Sequence, residues 1–215
     1  MVKKRIQEKE ISHRPAEPSD AGIAGRLLFD SFPKMAAFVI GLGNEKRAQA
    51  ILTELFAKLG HRFSYEFGHV AIHQGKVVGL FIGYSGKRLG KLNRRLGRLM
   101  IRQYRFRGKA ALLIRAWPLV FIKEVGRDEY LLSNLAVRKH LRNKGIGAGL
   151  LTKVEEEARE AGLRKISLMV SIGNRAARRF YERHGYHIRA THLESNKRVA
   201  YLGPGYHRMV KEMMG

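Results

Sequence analysis

The residues best suited to chemistry in this 215-residue chain lie within Asn134–Leu151, where an apolar run meets a basic turn and a predicted helix start. The N–H groups of a helix start are unpaired, and the helix dipole is positive there. Gly145 and Gly147 carry no side chain that would keep a ligand from these N–H groups. Arg142 and Lys144 add cationic donors. The segment therefore predicts an anion site of the size of a diphosphate.

Two common phosphate-binding loops do not explain this segment. A Walker loop ends in Gly-Lys-Ser/Thr, and a Rossmann loop needs three spaced glycines and an acidic residue on the next strand. The hexapeptide Arg142–Gly147 has neither pattern. Taken alone, it fits a basic turn with a glycine-rich helix cap equally well, so its surroundings must decide.

The neighbouring elements place this turn between a strand and a helix. The run "DEYLLSNLAV" is mostly apolar, which is typical of a strand that is buried on both faces. The helix predicted for about Gly147–Ala161 has one apolar and one charged side, and "KISLMVS" follows as a second central strand. We expect a parallel β-α-β crossover with the turn at the end of its first strand.

The rest of the chain adds helices and strands to the same sheet. Two predicted helices follow a strand at "ISHRP", and the second has Asn44 as its cap and Leu59 in its apolar stripe. Alternating residues around Gln74–Gly75 predict a hairpin. Asn174 opens a late helix, and two last strands follow. We expect a single mixed α/β domain over residues 1–215.

Two motifs carry a resemblance to a known family. The segment "LSNLAVRKHLRNKGIGAGLL" resembles the acetyl-CoA-binding segment of GNAT-type N-acetyltransferases, and "NRAARRFYERHGYHI" resembles that family's second signature. The resemblance covers Tyr130 to about Ile188, and "RPAEPSD" more loosely, whereas residues 83–127 lie outside it. It implies an α/β fold whose mixed, mostly antiparallel central sheet has a splayed parallel strand pair and flanking helices.

The resemblance also implies how a cofactor would bind. In the family, a bulge opens the Leu-Ala-Val strand, and pantetheine pairs with its backbone as an added strand would. Acetyl-CoA, or another acyl-CoA, would here use Leu135, Ala136 and Val137 for pantetheine. Its pyrophosphate would meet the N–H groups of Arg142, Asn143, Lys144, Gly145, Ile146 and Gly147. A primary amine would attack the acyl carbonyl directly, with no metal and no covalent acyl-enzyme.

Two side chains align with functional positions of the family. Tyr181 matches the tyrosine that protonates the departing CoA thiolate, a suitable acid because tyrosine and thiol pKa values differ by about two units or less. Its alternative role is that of a core aromatic. Asn174 matches the asparagine near the pantetheine arm, and it also has the position of an ordinary helix cap.

The general base is not identified by the motifs. Many family members have a glutamate two residues before Leu-Ala-Val, and this chain has Ser133 there. Glu129 or Asp128 could act through water, although solvated charges at a strand end are the simpler interpretation. Otherwise the amine arrives neutral or loses its proton to water.

Cysteine and histidine give no metal site. The chain has no cysteine, which excludes disulfides, thiolate catalysis and thiolate metal ligands and suits a reducing cytosol. His69 and His73 are four residues apart on a strand, a separation of about 13 Å, and cannot share an ion. The basic N-terminus is followed by no apolar segment of a secretory signal, so we expect a cytoplasmic protein.

A basic insertion with a helical sequence pattern is predicted at about 85–125. The formal net charge is +24, and 13 Lys or Arg but no acidic residue lie between Glu66 and Glu124. Apolar residues from Leu89 to Phe106 recur at helical spacing. The insertion could pack as a solvated helix, cover the amine acceptor, or bind an anionic partner such as RNA or a membrane surface. A non-catalytic binding module and a homodimer stay open alternatives.

Overall fold

The computed structural model describes residues 11–117, 124–193 and 203–213. Its strands are β1 (Ile11–Pro15), β2 (Gly68–His73), β3 (Lys76–Ser85), β4 (Tyr130–Val137), β5 (Lys165–Ser171), β6 (His187–Leu193) and β7 (Gly205–Glu212). Its α-helices are α1 (Ala21–Ser31), α2 (Pro33–Met35, continued by a π-helical turn at Ala36–Ile40), α3 (Glu45–Phe56), α4 (Leu89–Arg102), α5 (Phe106–Ala116), α6 (Ile146–Glu160) and α7 (Arg175–Arg183).

The strands of these residues form one sheet in the order β1-β2-β3-β4-β5-β7-β6. Every neighbouring pair is antiparallel except β4 and β5, which are parallel. Helix α6 makes the crossover between those two strands. The predicted mixed, mostly antiparallel sheet with one parallel pair is confirmed.

Local sequence signals explain several element boundaries. Gln74 and Gly75 both adopt positive φ, 49° and 70°, as the two central residues of a tight hairpin turn do. The side chain of Asn44 accepts a hydrogen bond from the N–H of Arg47 at 2.9 Å and caps α3. The expectation for Leu59 was wrong: α3 ends earlier, at Phe56, and the Leu59 side chain is exposed.

Each face of the sheet buries its own apolar cluster. One cluster joins α1 and α3 to the sheet and includes Leu28, Leu52 and Leu80. The other joins α6 to the opposite face and includes Leu150 and Ile166. Both faces of the central strands are therefore covered, which explains the nearly continuous apolar run of β4.

The basic insertion forms two helices rather than one. Helix α4 buries Leu92 and Met100 and ends at Arg102. The chain then turns, Tyr104 packs inward and its hydroxyl donates to the carbonyl of Ile40. Phe106 begins α5 and is exposed, so its predicted place in the stripe of α4 was wrong. The stripe ends where the buried Tyr104 changes the direction of the chain.

Across the described parts of the chain, none of the helices combines the length and the apolar character that a bilayer crossing requires.

Candidate functional site

Strands β4 and β5 separate before their carboxyl ends. Their parallel pairing begins at Tyr130 with Ile166 and ends at Leu132 with Leu168. Along the rest of their lengths, β4 stays paired with β3 and β5 stays paired with β7. Among the described strands, none pairs with the edge of β4 that faces β5 over Ser133–Val137. Its backbone groups are therefore accessible to an extended ligand.

A bulge in β4 lies at the point of separation. Asn134 is opposite Ile82 of β3 and Leu132 is opposite Gly83, so Ser133 is the additional residue in the register. An additional residue bends the strand and increases its twist. The splayed pair that the family resemblance predicts is therefore present, and Ser133 occupies its bulge.

The loop after β4 turns abruptly into α6. Asn143 and Gly145 both adopt the left-handed conformation, with φ of 62° and 95°, and Gly145 is the N-cap residue of α6. Among the described residues, the backbone N–H groups of Asn143–Gly147 donate to no other backbone group. The loop thus presents a run of free donors at the positive end of a 15-residue helix.

Arg142 connects this loop to the end of β4. Its Nε donates to the carbonyl oxygen of Val137 at 3.1 Å. A ligand could pair with this carbonyl in place of the guanidinium. Arg142 would then be released toward the anionic part of the same ligand.

The start of α6 packs closely against α7. A Cβ atom at Gly147 would lie 3.2 Å from Cζ of Phe180. The ring of Phe180 in turn lies 5.3 Å from that of Tyr181, at a steep angle. Gly147 therefore has a packing reason to be glycine, and this contact brings the Tyr181 side of α7 to the loop.

Tyr181 belongs to a buried aromatic group. It is 9% exposed, and its ring centroid lies 5.6 Å from that of Tyr186. Burial raises the pKa of Tyr181, so its phenol is protonated at neutral pH and can donate a proton. The packing role and the predicted acid role are therefore compatible.

Asn174 has the cap geometry that its position predicts. Its side-chain oxygen accepts a hydrogen bond from the N–H of Ala177 at 3.1 Å at the start of α7. The NH₂ group of the same amide is not used by this cap. Asn174 is thus a helix cap that retains donors for a ligand, and its contact with pantetheine stays a prediction.

A polar network crosses the bulge of β4. Arg62 donates from Nη1 and Nη2 to the two carboxylate oxygens of Glu124, at 2.8 and 2.6 Å, and its Nη2 lies 3.3 Å from Oγ of Ser133. Ser133 donates to Asn134 at 3.0 Å, and the amide of Asn134 donates to Ser31 of α1 at 3.0 Å. The network therefore joins the end of the insertion to α1 through the bulge.

Glu124 and Arg62 fix each other's charge. Burial alone would raise the pKa of Glu124, but the charge and hydrogen bonds of Arg62 hold it below its ordinary value. Burial would lower the pKa of Arg62, and Glu124 outweighs that effect and raises it. Both side chains stay ionised across the neutral pH range.

The expectation of a solvated Glu129 was wrong. Glu129 is 8% exposed, and its carboxylate accepts hydrogen bonds from Arg208, from Ser167 and from the N–H of Gly126. These three donors leave it no role as a water-linked base. Asp128 is exposed and lies 3.8 Å from Lys165, as a solvated charge would.

Two histidines, His61 and His69, have structural partners. His61 is buried, with Nε2 2.9 Å from the carbonyl of Leu55 and Nδ1 accepting from the N–H of Phe63. His69 stacks on Phe81 and approaches Glu157. Within the described ranges, no three acidic or histidine side chains lie close enough together to hold a metal ion.

Arg62 and Glu124 were not identified from the sequence. Glu124 is the first acidic residue after Glu66, behind a long basic stretch, and this isolation was a usable signal. Arg62 follows His61 in a loop and matches no motif. Their contact spans 62 positions, so only the fold reveals it.

Comparisons with curated proteins agree with the two motifs. The chain is 43% identical over 63 residues to the aminoalkylphosphonate N-acetyltransferase of Salmonella typhimurium, which is 28% of this chain and 41% of that protein. It is 39% identical over 57 residues to the uncharacterized N-acetyltransferase YhfO of Bacillus subtilis, 26% of this chain and 38% of that protein. The matched part thus spans less than half the length of these relatives.

Solved structures and a family profile cover more of the chain. An N-acetyltransferase from Staphylococcus aureus Mu50 matches with a TM-score of 0.71 at 21% identity over 93% of this chain and 99% of that one. Another acetyltransferase matches with a TM-score of 0.69 at 23% identity over 94% of this chain and 100% of the other. At these identities the likeness shows the fold. Residues 43–186 match the profile of the Acetyltransferase (GNAT) family. The chain belongs to the GNAT acetyltransferase family.

Proposed function

We propose that this protein transfers an acetyl, or another acyl, group from acyl-CoA to a primary amine within a ternary complex. The observation that carries the proposal is the unpaired edge of β4 over Ser133–Val137, which leads into the free N–H groups of Asn143–Gly147. An extended arm that ends in a diphosphate has the shape and charge for this surface. Pantetheine with its nucleotide is such a molecule.

The cofactor-binding residues divide into two groups. The backbone of Leu135, Ala136 and Val137 would pair with the pantetheine amides along the free edge. The N–H groups of the α6 loop would hold the pyrophosphate at the positive helix end. Arg142 would exchange its bond to Val137 for a phosphate oxygen, and Asn174 would use its free NH₂ group.

The family and one relative support an amine as the acceptor. GNAT acetyltransferases act on amines with acyl-CoA, and the relative from Salmonella typhimurium is named for an aminoalkylphosphonate. We propose an amine as the acceptor of this chain, and we do not propose that the acceptor carries a phosphonate group. The acceptor would approach the bulge of β4 from the side of α1 and the Arg62–Glu124 pair, where the polar network lies.

The reaction needs no covalent intermediate on the protein. The neutral amine nitrogen attacks the acyl carbonyl, the new C–N bond forms, the nitrogen releases its additional proton to solvent, and the C–S bond then breaks. Backbone N–H groups on the free edge of β4 would stabilise the oxyanion. The phenol of Tyr181 would give its proton to the CoA thiolate and regain one from solvent. Burial raises the pKa of the Tyr181 phenol, so the phenol keeps its proton until the C–S bond breaks, and burial in the same site would also raise the pKa of the thiol.

The amine would lose its proton before it attacks. The strand position of the family glutamate holds Ser133, and Glu129 is occupied by Arg208. Glu124 is the carboxylate that contacts the bulge network, but Arg62 saturates it and depresses its pKa. A carboxylate of this kind is a weak proton acceptor. We therefore assign Glu124 to positioning Ser133 through Arg62.

Two experiments test the proposal in sequence. Calorimetry with acetyl-CoA on the folded protein must show binding, and no binding at millimolar ligand contradicts the proposal. A screen for thiol release against amines, aminoglycosides, amino acids and peptide N-termini then identifies the acceptor class. Buffer without acceptor gives the rate of simple hydrolysis, which is subtracted.

A second candidate is a GNAT-like module that binds an anionic partner without catalysis. Ser133 in place of an acid and the net charge of +24 favour it. It predicts that no amine releases CoA while RNA or anionic vesicles bind tightly. Thiol release with any amine, abolished by heat denaturation of the protein, contradicts this candidate.

A further inference from the structure

Helix α5 carries a concentrated exposed apolar face. Seven large hydrophobic side chains of the described residues are strongly exposed, and four of them lie within residues 106–117. Their exposed fractions are 86% for Phe106, 58% for Leu113, 63% for Ile114 and 65% for Trp117. Their spacing of seven, eight and eleven positions from Phe106 places all four on one side of a helix.

The opposite side of α5 is fixed to the protein. Leu112 is 5% exposed within the apolar cluster below α4 and α5. The guanidinium of Arg115 donates to the carbonyl of Phe38 at 2.9 Å and lies over the ring of that residue at 4.7 Å. The exposed face is therefore the outward face of a docked helix, and its direction is defined.

Cations surround this face. Arg105, Arg107 and Lys109 are exposed on α5 and on the turn before it. The exposed Lys and Arg of the preceding helix extend the same charge, and no acidic residue interrupts the sequence between Glu66 and Glu124. A partner of this surface must therefore be anionic and must also accept large aliphatic groups.

We propose that α5 docks on the surface of an anionic lipid bilayer, with its apolar face in the boundary between headgroups and acyl chains. Such a boundary offers acyl chains to Leu113 and Ile114, a preferred location to Trp117, and anionic headgroups to the flanking cations. Nucleic acid satisfies the charge but leaves the aliphatic side chains exposed. A second copy of a chain with net charge +24 would bring like charges together.

The single tryptophan of the chain gives a direct measurement. Trp117 is the one Trp, and it lies at the end of the apolar face. The experiment follows its emission as the full chain is titrated with vesicles of phosphatidylcholine alone, or of phosphatidylcholine with phosphatidylglycerol. Docking predicts a shift to shorter wavelength with the anionic vesicles, reversed by high salt, and little change with the neutral ones.

Matched variants separate the apolar face from charge alone. Leu113→Gln with Ile114→Gln is expected to weaken vesicle binding roughly tenfold or more, because two exposed aliphatic groups lose their burial. Ile188→Gln with Leu193→Gln, which changes two exposed aliphatics on β6, is expected to leave it unchanged. Circular dichroism verifies that both variants are folded.

Several results would overturn the proposal. One is the absence of an emission shift with anionic vesicles, which is also the result expected if another segment of the chain covers α5. A second is equal vesicle binding by both double variants. A third is a wild-type dimer that the Leu113/Ile114 variant dissociates. A fourth is tighter binding to single-stranded polyuridylate than to vesicles, unaffected by the same variant.

Discussion

Arg62 holds Glu124 by two hydrogen bonds, at 2.8 and 2.6 Å, directly beside the bulge of β4. The same guanidinium reaches Ser133, the additional residue of that bulge. A residue from the loop after α3 thus secures both the end of the insertion and the strand that separates from β5. We interpret the pair as the support of the site rather than as its base.

Glu124→Gln tests this interpretation through the pH dependence of the reaction. If the amine loses its proton before attack, kcat/KM rises about tenfold per pH unit up to the pKa of the acceptor, about 10 for an alkylamine. The rising limb should keep its position in the variant. Its position should move when an acceptor with a lower amine pKa is used. A limb that disappears in Glu124→Gln would identify Glu124 as the base.

The same pair makes a prediction about stability. Glu124→Gln leaves a partly buried guanidinium without its counterion and should destabilise the fold by about 2 kcal/mol. Arg62→Met combined with Glu124→Leu removes both charges and should recover most of that loss. Denaturant unfolding measures both. A double variant less stable than the single one would contradict this explanation. It would show that the ion pair gives net stabilisation, beyond the cost of leaving one buried charge without its counterion.

Tyr181→Phe should lower turnover about 10²-fold, as the loss of a general acid does, and leave CoA affinity nearly unchanged. Tyr186→Phe is the matched control, since this neighbour is also buried and its hydroxyl has no hydrogen-bond partner among the described residues. Steady-state kinetics and calorimetry are run on both. Equal losses of rate in the two variants, or a parallel loss of CoA binding, would make Tyr181 a packing residue.

Glu129 should stabilise the fold at neutral pH and lose this effect in acid. Burial alone would raise its pKa, but hydrogen bonds from Arg208 and Ser167 lower it below the ordinary value. Its stabilising effect is therefore complete above the unfolded pKa, about 4.3, and is lost as pH falls through the lower folded pKa. Glu129→Gln should cost about 3 kcal/mol at neutral pH.

Asp128→Asn is the control for this prediction, because the neighbouring carboxylate is exposed. It should change stability by less than about 0.5 kcal/mol. Unfolding free energies measured at pH values from neutral to acidic should converge between wild type and Glu129→Gln as pH falls. A constant difference down to the lowest pH would show that the ionisation of Glu129 does not stabilise the fold.

Local patterns predicted most of the fold and part of the site. The strand, turn and helix around Gly145 follow from apolar runs, glycine and helix periodicity, all of which act over a few residues. The cap by Asn44 and the turn at Gln74–Gly75 are equally local. These features do not require knowledge of which strands become neighbours.

The contacts that were missed join distant parts of the chain. Glu129 was expected to be solvated because it lies at a strand end, but β7 brings Arg208 to it across 79 positions. Arg62 and Glu124 meet only after the insertion has folded back on the sheet. The turn before α5 depends on the burial of Tyr104 against Ile40, which periodicity within α4 does not encode.

The most direct test of the central claim is acetyl-CoA binding by calorimetry to Gly147→Glu, Gly147→Ala and Gly97→Glu. The first variant adds a carboxylate at the proposed pyrophosphate site and should weaken binding on the order of 10²-fold or more, since like charges about 4 Å apart repel by about 4 kcal/mol near a protein surface. Gly147→Ala requires the same small shift of Phe180 without the charge and should retain most of the affinity. Gly97→Glu enters open space on α4 and should bind as wild type does. Wild-type affinity in a folded Gly147→Glu variant would contradict the assignment of this loop to acyl-CoA.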